Sequence, residues 1–198
     1  LYFSKAGEIG VADAAMMNTV CFDAFALGNH EFDKGDTTLA QWLKLLHSGN
    51  CRTPVISANV RFGADSAMHP SRAPVQVKPY TIVERGGHRI GIVGLTIAEK
   101  TKVSSQPDPE TVFDDETVAA QRAIDELRAQ GIDKIVLLSH IGYPYDRRVL
   151  AALSGVDVVI GGDSHTLLGP DSLADYGVGS PAGPYGETLT NHDGGRVC

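Results

Sequence analysis

Three apolar runs in this sequence each end on side chains able to bind a metal ion. They are Asn29-His30 after residues 23–27, His140 after residues 134–139, and Asp163 with His165 after residues 156–160. An amide oxygen, imidazole nitrogens and a carboxylate together suit divalent cations. In an open α/β sheet, groups at the carboxyl ends of strands collect in one crevice, so tips far apart in sequence can meet. The recurrence predicts one cation-holding pocket on which Asn29-His30, His140, and Asp163 with His165 converge. Asp163 and His165 are two apart, and on an extended segment that spacing turns both to one side. Plainer readings stay open: Asn29 as a helix cap, Asp33 as a helix N-terminal acid, His140 as an ordinary strand end, Asp163 as a turn former beside Gly161 and Gly162.

The elements that must position these residues alternate between helix and strand, which predicts an α/β layered fold. Helical patterns run over residues 6–18, 37–46, 116–130 and 146–153. The third of these closes at Gly131, in the usual stop position. Strand patterns cover 23–27, 54–59, 75–84, 88–95, 134–139 and 156–160, with Arg85-Gly86-Gly87 as a hairpin signal between the third and fourth. Residues 100–109 read as a polar loop and 168–186 as a long surface loop, followed by a hairpin around His192-Asp193-Gly194-Gly195. Trp42 falls on the apolar face of its helix, and His47, His69, His88 and His192 lie at helix ends, turns and loops, so none joins the site.

The 198 residues suffice for one buried core. A net charge of −7, spread along the chain, opposes general nucleic-acid binding, which needs a basic surface. It suits carboxylates gathered around cations. No apolar run reaches the roughly 18 residues that span a bilayer. Cys21, Cys51 and Cys198 show no CxxC spacing and cannot all pair, which excludes a disulfide-built scaffold and leaves the redox compartment open.

Gly28-Asn29-His30-Glu31-Phe32-Asp33 resembles the GNHEFD signature of calcineurin-like metallophosphoesterases, in the form typical of 5′-nucleotidases. Ser139-His140-Ile141-Gly142-Tyr143 and Gly161-Gly162-Asp163-Ser164-His165-Thr166 resemble the later motifs of that family, in the same order. The resemblance implies a four-layer α/β/β/α sandwich and a hydrolase using two divalent ions (Mn, Zn, Co or Mg) roughly 3.5–4 Å apart. Its substrate would be a small phosphoester of the nucleotide class, and its home periplasmic or at the cell surface. Asn29, His140 and Asp163 would bind the second metal and His165 the first. His30 would stabilise the scissile phosphate and protonate the leaving oxygen, with Asp33 fixing its tautomer.

Two departures from the family pattern set further expectations. The family's opening Asp-x-His and bridging Gly-Asp have no counterpart before Asn29, and Gly35-Asp36 reads instead as a helix-start cap. The chain begins Leu1-Tyr2-Phe3 and stops at Val197-Cys198. Residues 1–198 therefore read as a partial phosphoesterase domain, incomplete at the N-terminus and lacking the C-terminal nucleotide-binding domain, with little catalysis of its own. Asp163 stands where the family has a His, and a carboxylate leans toward Mn²⁺ or Mg²⁺ relative to Zn²⁺. The competing expectation is a non-catalytic binding domain on the same scaffold.

Overall fold

Short parallel strands and long hairpin-led strands build two separate sheets in the computed structural model, which describes residues 7–198. The first sheet joins β1 (Phe25–Ala26), β2 (Val55–Ile56) and β4 (Val77–Lys78), all parallel, in the order β1-β2-β4. Beside it, β3 (Val60–Arg61) pairs antiparallel with β7 (Val112–Phe113). The second sheet joins β5 (Tyr80–Arg85), β6 (His88–Thr96), β8 (Lys134–His140) and β9 (Val158–Ile160), in the order β5-β6-β8-β9. β5 and β6 form the hairpin expected from Gly86-Gly87, and β6, β8 and β9 run parallel. A terminal hairpin pairs β10 (Leu189–Thr190) with β11 (Arg196–Val197).

Helices cover the outer faces. On the first sheet, α1 (Val11–Met17) and α2 (Gly35–Leu46) pack over it. The α2 helix buries Leu39, Trp42, Leu43 and Leu46, spaced for one helical face, against Leu27, Val55 and Val75. Trp42 meets Phe25 edge-on, with ring centroids 5.3 Å apart. On the second sheet, α4 (Glu116–Ala129) buries Ala119, Ala120, Ala123, Ile124 and Leu127, and α5 (Tyr143–Ala152) adds Val149 and Leu150. Asp115 caps α4 by accepting from the Val118 N–H at 2.9 Å. The layers are α/β/β/α, as the sequence implied.

A buried polar seam fixes one sheet to the other. Ser57 and Thr96 exchange a hydrogen bond of 2.8 Å, Thr96 Oγ1 donates to the Leu27 carbonyl at 2.7 Å, and Asn59 Nδ2 donates to the Thr96 carbonyl at 2.8 Å. Leu27, between β1 and Gly28, is thereby pinned to the tip of β6.

The structure differs from sequence expectation in five places. The first helix starts at Val11 because Gly7 and Gly10 both adopt φ 81°; Ala6 lies outside the described residues. The apolar run 75–84 splits at Pro79, which has no N–H for a ladder, so its two parts enter different sheets. Residues 100–104, half of the expected loop, belong to a short helix, α3 (Ala98–Ser104). Asp36 is no cap: it is buried inside α2 and accepts from Ser66 Oγ at 2.5 Å and Thr111 Oγ1 at 2.6 Å. Cys21 and Cys51 form a disulfide, which their spacing alone did not disclose.

Candidate active site

The segment after β1 folds into a tight turn held from within. Glu31 reaches back so that its carboxylate accepts the Gly28 N–H at 2.7 Å, and burial pushes the Glu31 pKa upward. Phe32 is fully buried against Phe113, with centroids 5.2 Å apart, which anchors the turn in the first core. His30 is left 73% exposed, and its Nδ1 lies 2.8 Å from Asp33 Oδ2. The other Asp33 oxygen accepts from Ser105 Oγ, just past α3, at 2.8 Å.

Three of the expected donors meet. Asn29, 1% exposed, places Oδ1 3.1 Å from His140 Nε2, and Asp163 Oδ1 lies 3.7 Å from that same nitrogen. Ligand atoms sharing an ion at about 2.1 Å stand about 3.0–3.5 Å apart. The Asn29–His140 spacing falls in that range, and Asp163, at 3.7 Å, lies about 0.2 Å beyond it, close enough to join a common divalent cation after a small shift. The donor chemistry fits as well: an amide oxygen, an imidazole nitrogen and one carboxylate. Asn29 Nδ2 is buried with no hydrogen-bond partner among the described residues, an arrangement tolerated where the amide is held for its oxygen.

The His140 ring is clamped by glycines from two motifs. A Cβ at Gly28 would fall 2.8 Å from His140 Nε2, and one at Gly162 would fall 3.0 Å from its Nδ1. Any side chain at either position would push the ring off the donors. Burial lowers the His140 pKa, opposed by Asp163 and reinforced by Lys100, His30 and His165. A ring kept neutral offers its lone pair to a cation.

The expectation for Asp163 and His165 needs correction. The segment is not extended: both residues adopt left-handed backbone, φ 77° and φ 52°, so period-two alternation does not orient them. Asp163 is 8% exposed and faces His140, backed by Gly142. His165 is exposed and is linked to His140 through electrostatics alone among the described contacts. No three His, Cys, Asp or Glu side chains cluster as a metal cage among the described residues; the convergent set is His140 and Asp163 with the amide of Asn29.

Sequence reasoning missed several supporting groups. Lys100 Nζ on α3 donates to Asp163 Oδ1 at 2.5 Å. Asp146 accepts from Ser139 Oγ at 2.5 Å and leaves no room for a side chain at Gly161, locking the tips of β8 and β9 together. Its pKa rises to about 6, chiefly through burial. Only the glycines carried a signal, as members of the motifs; Lys100, Ser105 and Asp146 sit on segments with no distinguishing spacing. A cavity of about 620 Å³ opens beside Asp163 and His165, walled by Tyr143 and Arg147 from α5 and by Glu187.

No model of a known protein family matches the chain. Individual proteins do. It is 44% identical over 169 residues to a probable 5′-nucleotidase of Treponema pallidum, covering 85% of this chain and 27% of that protein. The crystal structure of a 5′-nucleotidase precursor from Thermus thermophilus superposes with a TM-score of 0.83 at 42% identity, covering 99% of this chain and 36% of the other. The calcineurin-like phosphoesterase YfkN of Bacillus subtilis shares the fold, with a TM-score of 0.66 at 22% identity over 87% of this chain and 56% of the other. The chain thus spans about a third of the length of its 5′-nucleotidase relatives or less. Over most of its length, then, the chain is homologous to one part of proteins named 5′-nucleotidases, and it has the fold of a calcineurin-like phosphoesterase.

Proposed function

We propose that this chain supplies part of the active site of a metal-dependent hydrolase that removes phosphate from nucleotides or related phosphoesters. The observation that carries this reading is the meeting of Asn29 Oδ1 and Asp163 Oδ1 at 3.1 and 3.7 Å from His140 Nε2, with Asn29 on the same turn as the His30–Asp33 pair. Homology to 5′-nucleotidases supports the substrate class. Asn29, His140 and Asp163 hold one divalent ion, and His165 serves a second. Such ions, when bound, polarise the phosphate and make water a nucleophile near neutral pH.

The chain's own residues do the remaining work. The His30 Nδ1–H donates a hydrogen bond to Asp33, which turns Nε2 outward, where a protonated ring would serve the leaving oxygen as proton donor. His140 stays neutral, and Asp163 makes the donor set harder than an all-imidazole set, favouring Mn²⁺ or Mg²⁺ over Zn²⁺. The isolated segment is expected to turn over little, since among the described residues no three His, Cys, Asp or Glu side chains gather as a metal cage. The Cys21–Cys51 disulfide favours an oxidising compartment, which suits an exported protein, as does the description of the T. thermophilus relative as a precursor. Among the described residues no helix is long and apolar enough to cross a membrane.

The test is phosphate release from a nucleoside 5′-monophosphate by the full-length protein, with Mn²⁺, Co²⁺, Zn²⁺ and Mg²⁺ supplied separately. Asn29→Ala and His30→Ala should each lose on the order of 100-fold or more in kcat, while His88→Ala stays near wild type. Equal turnover in all three variants would remove the residue assignments, and no phosphate release with any of the four ions would make a non-catalytic binding domain the better account.

A further inference from the structure

The site already contains one cation of its own. Lys100 Nζ lies 2.5 Å from Asp163 Oδ1, the same oxygen that stands 3.7 Å from His140 Nε2. Asp163 is 8% exposed, and a carboxylate so placed needs a positive partner. Asn29 and His140 are neutral donors, so the ammonium cancels the one formal negative charge of the trio.

The backbone carrying Lys100 is fixed at both ends. The Ile97 N–H donates to the His140 carbonyl at 3.0 Å, and the Gln106 N–H donates to the Phe32 carbonyl at 3.0 Å. The side chain itself is 42% exposed, on a flexible four-carbon stem, so it can swing to water while α3 stays in place.

We propose that Lys100 is a resident counter-ion which a divalent cation must displace from Asp163, so that loading this position is an exchange of ammonium for metal and Lys100 sets its affinity. The inference rests on the site reading proposed above. The side chain swings out to solvent as the metal takes its place. Without metal, the pair spares the fold an unpaired buried carboxylate; with metal, the cation competes for the same oxygen. If Lys100 only steadied Asp163, removing it would weaken metal binding; as a competitor, its removal strengthens it.

The experiment is titration of full-length protein with Mn²⁺, following free Mn²⁺ by its EPR signal. Lys100→Met should tighten the site that depends on Asn29 by about tenfold, Lys100→Gln should do the same, and Lys100→Arg should stay close to wild type. In an Asp163→Asn background the Lys100→Met gain should vanish. Unchanged or weaker Mn²⁺ binding in both neutral variants overturns the proposal. Asn29→Ala and His140→Ala separate the two levels of inference. If they leave Mn²⁺ binding intact, the ion is elsewhere and the site reading falls with the lysine. If they weaken it while Lys100→Met brings no gain, the lysine proposal alone falls.

Discussion

The two halves of the molecule hold their shape by different means. The second half is a regular sheet: β6 runs nine residues and β8 seven, their register is continuous, and alanines on α4 let that helix lie close. The first half has strands of two residues, joined by a disulfide, an aromatic cluster and the buried Asp36 network. Each half gives the site what its construction allows. The regular sheet presents His140 at a strand tip and Asp163 shortly beyond another, while the irregular half presents Asn29, His30 and Asp33 from one tight turn. A turn aims three side chains differently within five residues, which a pleated strand cannot do.

The comparison can be broken most severely at the staple of the first half. Cys21→Ser with Cys51→Ser should lower stability by about 3–4 kcal/mol, the chain-entropy value for a closed loop of some 30 residues. Denaturant melts and hydrogen exchange should show the loss in α1, β1 and β2 before β6 and β8. Uniform loosening would mean that the halves are one cooperative unit.

In the second half the lever is charge. Asp146 holds a proton in the folded state up to about pH 6, whereas its ordinary pKa is 3.8. The folded form therefore binds more protons than the unfolded between those values, and stability falls as pH rises through them. The loss is complete above about pH 6 and amounts to about 3 kcal/mol at most. Asp146→Asn should remove that slope, so its Tm advantage appears at pH 8 and disappears at pH 4. A constant offset at both pH values would discount the carboxyl.

The contact between the halves is probed by Gly28→Ala. It should displace the His140 ring and lower kcat and Mn²⁺ affinity about 10- to 100-fold, with little change in melting. The smallest effect is expected from Ser105→Ala. It removes one hydrogen bond to Asp33, and should lower kcat a few-fold with KM unchanged while shifting the pH profile. An unchanged profile would reduce Ser105 to a structural role.

What sequence could reveal follows the same division. The long strands and α4 were legible because period-two and helical patterns persist over many residues. Asn29 and His140 were legible because each ends an apolar run. The split at Pro79 was hidden because its two flanks are equally β-like, and α3 because seven mostly polar residues carry no periodicity of use. Lys100 meets Asp163 across 63 residues, a pairing that only the folded chain decides. The spacing of Asp163 and His165 misled for a local reason: two left-handed residues replaced the extended backbone that the spacing argument assumes.

The imidazole of His140, pressed between Gly28 and Gly162, leaves an engineer little freedom at three positions at once. A larger group at either glycine demands a smaller one at 140, and a smaller one at 140 forfeits the nitrogen. If the proposed cation site holds, retuning its ion would proceed through Asn29 or through residues 163 and 100, the latter two changed together so that the charge stays balanced.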